Sequence, residues 1–122
     1  MYRAIARALK PGSRFVTVND NPGQSPETFS RSRKYGFVKV VQEPVREGTP
    51  IGYIFYLGNE SFQIENYHLS LATHEWAANA AGLRDVRFHA LRLSPAGLRA
   101  YDAGFWDDLL ADQPVFFIEC RK

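Results

Sequence analysis

The chain is short of cysteine, of charge of either sign in excess, and of long apolar runs. Cys120 is the only cysteine among 122 residues, so no internal disulfide can form and no metal site can rest on a set of thiolates. A reducing, cytoplasmic setting is the expectation. Net charge is only +2, from 15 basic and 13 acidic residues, whereas a nucleic-acid binder is expected to be far more basic. The longest apolar stretches, over 51–58 and 115–120, fall far short of the roughly 20 residues that cross a bilayer. The first residues lack the apolar run of a secretory signal. No repeat or low-complexity linker divides the sequence, which fits one domain at most.

What is present is a chain rich in apolar side chains and rings, 45% hydrophobic and 14% aromatic, as a globular protein requires. Tyr2, Ile5, Ala6 and Leu9 recur at helical spacing, and Pro11-Gly12 stops that helix. Phe15, Val16 and Val18 make a mostly apolar run over 14–19, which predicts a strand covered on both faces, as in a parallel sheet. Turn formers crowd residues 19–27. Residues 27–37 are ambiguous, with a short helix stopped by Gly36 as one reading, and 37–44 read as extended up to Pro44. Residues 50–70 predict a hairpin turning at Gly58-Asn59-Glu60-Ser61, with Phe62, Ile64 and Asn66 on its more apolar face.

Thr73 is the expected cap of the next helix, with Glu75 in its first turn. Trp76, Ala77, Ala80 and Ala81 are its expected packing stripe, and Gly82 its left-handed stop. A strand over 85–93 follows. Ser94-Pro95 is expected to open another helix, with Leu98, Tyr101 and Phe105 facing inward and Gly104 as a break. Pro114 precedes a last strand over 115–120. The element order predicts an α/β fold with a mixed sheet.

Two joints carry a resemblance. Leu9-Lys10-Pro11-Gly12-Ser13 before the first strand, and Ala80-Ala81-Gly82-Leu83 before the strand over 85–93, resemble the turns that precede the fifth and sixth sheet strands of class I S-adenosylmethionine-dependent methyltransferases. The closing residues 114–122 resemble the seventh, antiparallel strand. The hairpin lies where small-molecule members, such as the glycine N-methyltransferase and toxoflavin-biosynthesis types, carry extra strands over the active site. The resemblance covers nearly the whole chain. It implies the C-terminal part of a Rossmann-like methyltransferase sheet, mixed, with the last strand antiparallel and an extra β-hairpin over the substrate side.

One departure matters most. The family's glycine-rich cofactor loop, E/D-x-G-x-G-x-G, has no counterpart, because no two of the nine glycines lie one residue apart. Residues 1–122 are thus expected to be the C-terminal portion of a methyltransferase domain, lacking the glycine-rich cofactor-binding half. The implied reaction is methyl transfer from S-adenosylmethionine to a small-molecule nitrogen or oxygen acceptor, with the isolated chain inactive. The implied partners are the small-molecule substrate, an N-terminal methyltransferase half, or a second copy through the exposed sheet edge. Neither nucleic acid nor membrane is among them.

Candidate site residues follow from this frame, each beside a plainer reading. Asn19 and Asp20 end the first strand, where open α/β sheets gather their ligands; the alternative is an Asx turn. Tyr35 and Arg33 fall where the resemblance implies a lid over the substrate; ring packing and a solvated loop of Arg31, Arg33, Lys34 and Lys39 are the alternatives. Tyr67 and His68 end the hairpin. Adjacent strand residues point to opposite faces, so at most one faces a pocket. His68 is the candidate base. His74 and His89 have no partner at metal-ligand spacing. Trp76, Phe105 and Trp106 are expected in the core. A non-catalytic small-ligand-binding or protein-interaction domain is the competing functional class.

Overall fold

The computed structural model describes residues 1–122. Helix α1 (Tyr2–Ala8) leads to strand β1 (Arg14–Asp20), two short 3-10 turns (Pro26–Thr28 and Arg31–Tyr35) and strand β2 (Phe37–Val41). Strands β3 (Pro50–Leu57) and β4 (Glu60–Tyr67), helix α2 (Leu71–Ala80) and strand β5 (Arg84–His89) follow. Helices α3 (Pro95–Ala100) and α4 (Asp107–Asp112) and strand β6 (Val115–Arg121) complete the chain. The architecture is α/β, with two three-stranded sheets ordered β1-β6-β5 and β2-β3-β4. No helix is long and apolar enough to cross a membrane.

Local chemistry explains most element ends. Gly36 and Gly82 carry φ of 94° and 82°, the left-handed conformation that ends a helix at least cost for a residue without Cβ; α1 instead ends in an extended Leu9, ahead of the Pro11-Gly12 turn in which Gly12 has φ of 81°. The last carbonyls of α1, at Ala6 and Leu9, accept from the ammonium of Lys122. The cap of α2 is Ser70, whose Oγ accepts from Thr73 N at 3.1 Å, not Thr73 as the spacing predicts. Thr73 instead donates its hydroxyl to Glu47. With the helix opening at Leu71, Glu75 lies beyond its first turn.

The mixed sheet is corrected. Every hydrogen-bonded strand pair is antiparallel. β1 and β5 run in the same direction, but β6 lies between them and keeps them from pairing. The hairpin is also larger than expected: it turns on Gly58-Asn59 alone, since Leu57 already faces Glu60, and β2 joins it as a third strand. The strand over 85–93 ends at His89, with an irregularity between Arg84 and Arg87.

Nor is β1 covered on both faces. On one face of its sheet, α1 and α2 bury Tyr2, Ala6, Ala78, Leu83 and Cys120 against Phe15. On the other, Val16 and Val18 remain 47% and 51% exposed, and the β2-β3-β4 sheet meets that face only toward its Asp20 end. The stripe of α2 is likewise rotated from the expected one. His74 and Ala78 are its buried residues, and Trp76 stands 72% exposed. Leu98 and Tyr101 are exposed too. A second core, Phe29, Ile51 and Tyr53, lies under the β2-β3-β4 sheet.

Candidate functional site

Strand parity builds the site. The pairing Lys39↔Tyr53 and Tyr53↔Ile64 puts these three side chains on one face of the hairpin sheet, because side chains directly opposite across paired strands share a face. Phe37, Phe55 and Phe62 share it by the same rule. Their rings form a ladder with Tyr53, with centroid spacings of 6.2, 5.9 and 5.1 Å for Phe37–Tyr53, Phe37–Phe55 and Phe55–Phe62. This aromatic face meets the carboxyl end of β1. Between them lies a cleft of about 210 Å³ lined by Val18, Asn19, Asp20, Tyr53, Phe55 and Ile64, among others.

A buried polar cluster closes the cleft's floor. Tyr53 Oη donates to Asp20 Oδ1 at 2.6 Å. The Lys39 ammonium lies 2.6 Å from the same oxygen, with both side chains at most 2% exposed. That contact is an ion pair off the line of a hydrogen bond, and the ammonium has no other hydrogen-bond partner. Rings of Phe29 and Tyr53 stand 5.0 and 5.5 Å from it. Burial pulls the Lys39 pKa down, against the opposing pull of Asp20. Burial pushes the Tyr53 phenol up, and the Asp20 charge adds to that. Both contacts fall on Oδ1; Asp20 Oδ2 accepts no hydrogen bond from the chain. The cleft therefore sets a buried carboxylate beside stacked rings.

Of the residues singled out in the sequence, Asn19 and Asp20 line this cleft. The others lie elsewhere. Tyr35 ties the second 3-10 turn to α4: its hydroxyl donates to Phe105 O at 2.7 Å and accepts from Leu109 N at 3.1 Å, and its ring stacks on Trp106. Arg33 lies flat on the Tyr56 ring, 3.4 Å from its centroid, on the face of β3 away from the cleft. Tyr67 donates to Glu65 and is exposed. His68 lines a separate cleft of about 470 Å³ with Gln24, Phe29, Glu43 and Pro44.

Lys39 and Tyr53 are the members sequence reasoning missed. Lys39 was grouped with a basic surface loop, whereas it is a buried residue of β2. Its alternation with Phe37 and Val41 on one side of the strand is the signal that assigns it inward. Two other members of that basic loop are ion-paired locally: Arg31 reaches Asp112 at 3.3 Å and Lys34 reaches Asp108 at 2.7 Å. No group of three His, Cys, Asp or Glu side chains is close enough to hold a metal ion. No model of a known protein family matches the chain, and no curated protein matches it.

Proposed function

We propose that this chain is the substrate-side portion of an S-adenosylmethionine-dependent methyltransferase acting on a small-molecule nitrogen or oxygen acceptor in a reducing, cytoplasmic setting. The observation that carries the reading is the contact of Asp20, at the carboxyl end of β1, with Tyr53 of the strands above it. A hairpin sheet over a strand end is the arrangement the resemblance implies for the acceptor site. Two further features support it. β1 and β5 each follow a helix and a turn holding a left-handed glycine, Gly12 and Gly82. They also run in the same direction with the C-terminal strand antiparallel between them. The finer assignment, a portion of a Rossmann-like sheet, belongs to this proposal.

The residues present do not fit the cofactor itself. No glycine-rich loop follows any strand, and the cleft of about 210 Å³ is below the roughly 300–1,000 Å³ usual for small-molecule sites. The cofactor must then be held by a separate segment carrying E/D-x-G-x-G-x-G. The work of this chain is to bind and orient the acceptor. Phe55 and Tyr53 offer ring faces, and Asp20 Oδ2 accepts a hydrogen bond from the acceptor's N–H or O–H. Tyr53 and Lys39 hold that carboxylate in place. Orientation of this kind supplies much of the rate of a bimolecular displacement.

Calorimetry with S-adenosylmethionine tests the reading. Negligible binding by the chain alone, and binding once a glycine-loop segment is supplied, is the expected pair of results. Tight binding by the lone chain overturns the assignment of the cofactor to a separate segment. No binding after complementation overturns the enzyme reading and favours an interaction domain, which the exposed Val16 and Val18 would also suit.

A further inference from the structure

The open face of the β1-β6-β5 sheet is basic at the end away from Asp20. Side chains directly opposite across paired strands share a face. Arg14 and Arg84 both lie opposite Arg121, so three guanidinium groups stand in a row across the sheet. In the next row, Arg87 and Val16 flank Glu119. Parity along β6 assigns the face: Cys120 is buried against α1 and α2, so Arg121 and Glu119 point away from the helices. All four arginines are exposed. Glu119 is the one acid in these rows, engaged by His89 at 2.9 Å and by Arg14 at 3.7 Å. Asp85 sits off the register, at the irregularity of β5. Arg84, Arg87 and Arg121 form no salt bridge. Like charges directly opposite one another destabilise a sheet, and the fold leaves this row uncompensated. Farther along β6 the face changes character. Phe117, half-buried, stands between Val18 and His89.

We infer that this face binds single-stranded nucleic acid, its phosphates held by Arg14, Arg84, Arg87 and Arg121 and a base laid on Phe117 beside His89. Four arginines against one glutamate give the face more positive charge than the +2 of the whole chain. The small overall sum, which argues against a nucleic-acid binder, therefore hides a local concentration. The planar guanidinium fork matches phosphate oxygens. A basic surface along the strand path, with a ring for stacking, is what sequence-tolerant single-strand binding uses. Four residues of β6 separate Arg121 from Phe117, about 13 Å at strand spacing. A protein partner would want an apolar centre with charge at the rim. Here the charges cluster together and the one ring lies beyond them.

Fluorescence anisotropy of a labelled oligothymidine of about 12 nucleotides, within the usual span of a single-strand site, tests this without cofactor or methyl transfer. The wild-type chain is expected to bind, with a slope of log K against log salt of about −2 to −3 for three or four phosphate contacts. Arg84→Gln with Arg121→Gln should weaken binding about tenfold or more at low salt and flatten the slope by about 1.4. That variant is expected to fold, since it separates like charges. Arg46→Gln with Arg99→Gln makes the same change of net charge on exposed residues outside this sheet and should leave affinity and slope nearly unchanged. Phe117→Leu should weaken binding by about fivefold or more, through lost stacking, with the slope unaltered. No binding by the wild type at low salt overturns the inference. So do equal losses in the two double arginine variants, or an unchanged affinity in Phe117→Leu. Displacement by polyglutamate as effective, charge for charge, as displacement by unlabelled oligothymidine also overturns it, in favour of an acidic polypeptide.

Discussion

At the scale of single residues, the buried pair of Lys39 and Asp20 has the largest stake. Removing one partner of such a pair leaves the other charge without compensation, at a cost of about 3–5 kcal/mol. Lys39→Ala is therefore expected to lower the free energy of unfolding by that amount, read from urea titration. Tyr53→Phe removes one hydrogen bond to a charged acceptor and should cost about 1.5–3 kcal/mol. Replacing both charges, Asp20→Asn with Lys39→Met, should recover part of the loss of Lys39→Ala. His74 adds a pH dependence. It is buried, shares a 3.0 Å hydrogen bond with the Tyr2 hydroxyl, and burial lowers its pKa from 6.5. The unfolded chain then binds a proton that the folded chain refuses, so stability falls as pH drops below about 6.5 and is level above it. Unfolding midpoints between pH 7.5 and about 5.5, above the carboxylate range, should show that slope in the wild type and lose it in His74→Phe. The same burial pushes the Tyr2 phenol up to about 12, so Tyr2 stays protonated throughout.

At the scale of elements, stops and caps were largely legible in the sequence and strand partners were not. Gly82 was named as the stop of α2 because only a residue without Cβ takes φ of 82° cheaply. No atom lies within 4 Å of a Cβ built there, so Gly82→Ala is expected to cost about 1–2 kcal/mol from backbone strain alone. Its cap was misread by three residues. Ser70 and Thr73 both satisfy the compositional rule, and the contact of Glu47 with Thr73 and with Ser70 N, from 23–26 residues away, decides between them. Ser70→Ala is expected to cost about 1 kcal/mol, against less for Thr73→Ala, in thermal unfolding. The rotated stripe of α2 has a similar origin. A helix with small residues on several sides, Ala72, Ala77, Ala78 and Ala80 among them, has no strong apolar side of its own, and its neighbours choose the buried one.

At the scale of the whole molecule, β1 keeps one edge unpaired and leaves Val16 and Val18 half exposed. Under the proposed function, the aromatic ladder and Asp20 would supply one wall of an acceptor site, which a separate cofactor-binding segment would complete.

The sequence by itself determined that Gly82 stops α2, roughly where most strands begin, and which joints resemble those of a methyltransferase. These depend on backbone preferences and periodicities within a few residues, and such signals survive without a fold. The tertiary structure alone decided that β6 separates β1 from β5, that β1 keeps one face and one edge open, and that Lys39 lies beside Asp20. Those outcomes depend on register between distant strands. Tyr53 reaches Asp20 across 33 residues, and a shift of one residue in either sheet would turn every side chain of the cleft to the opposite face.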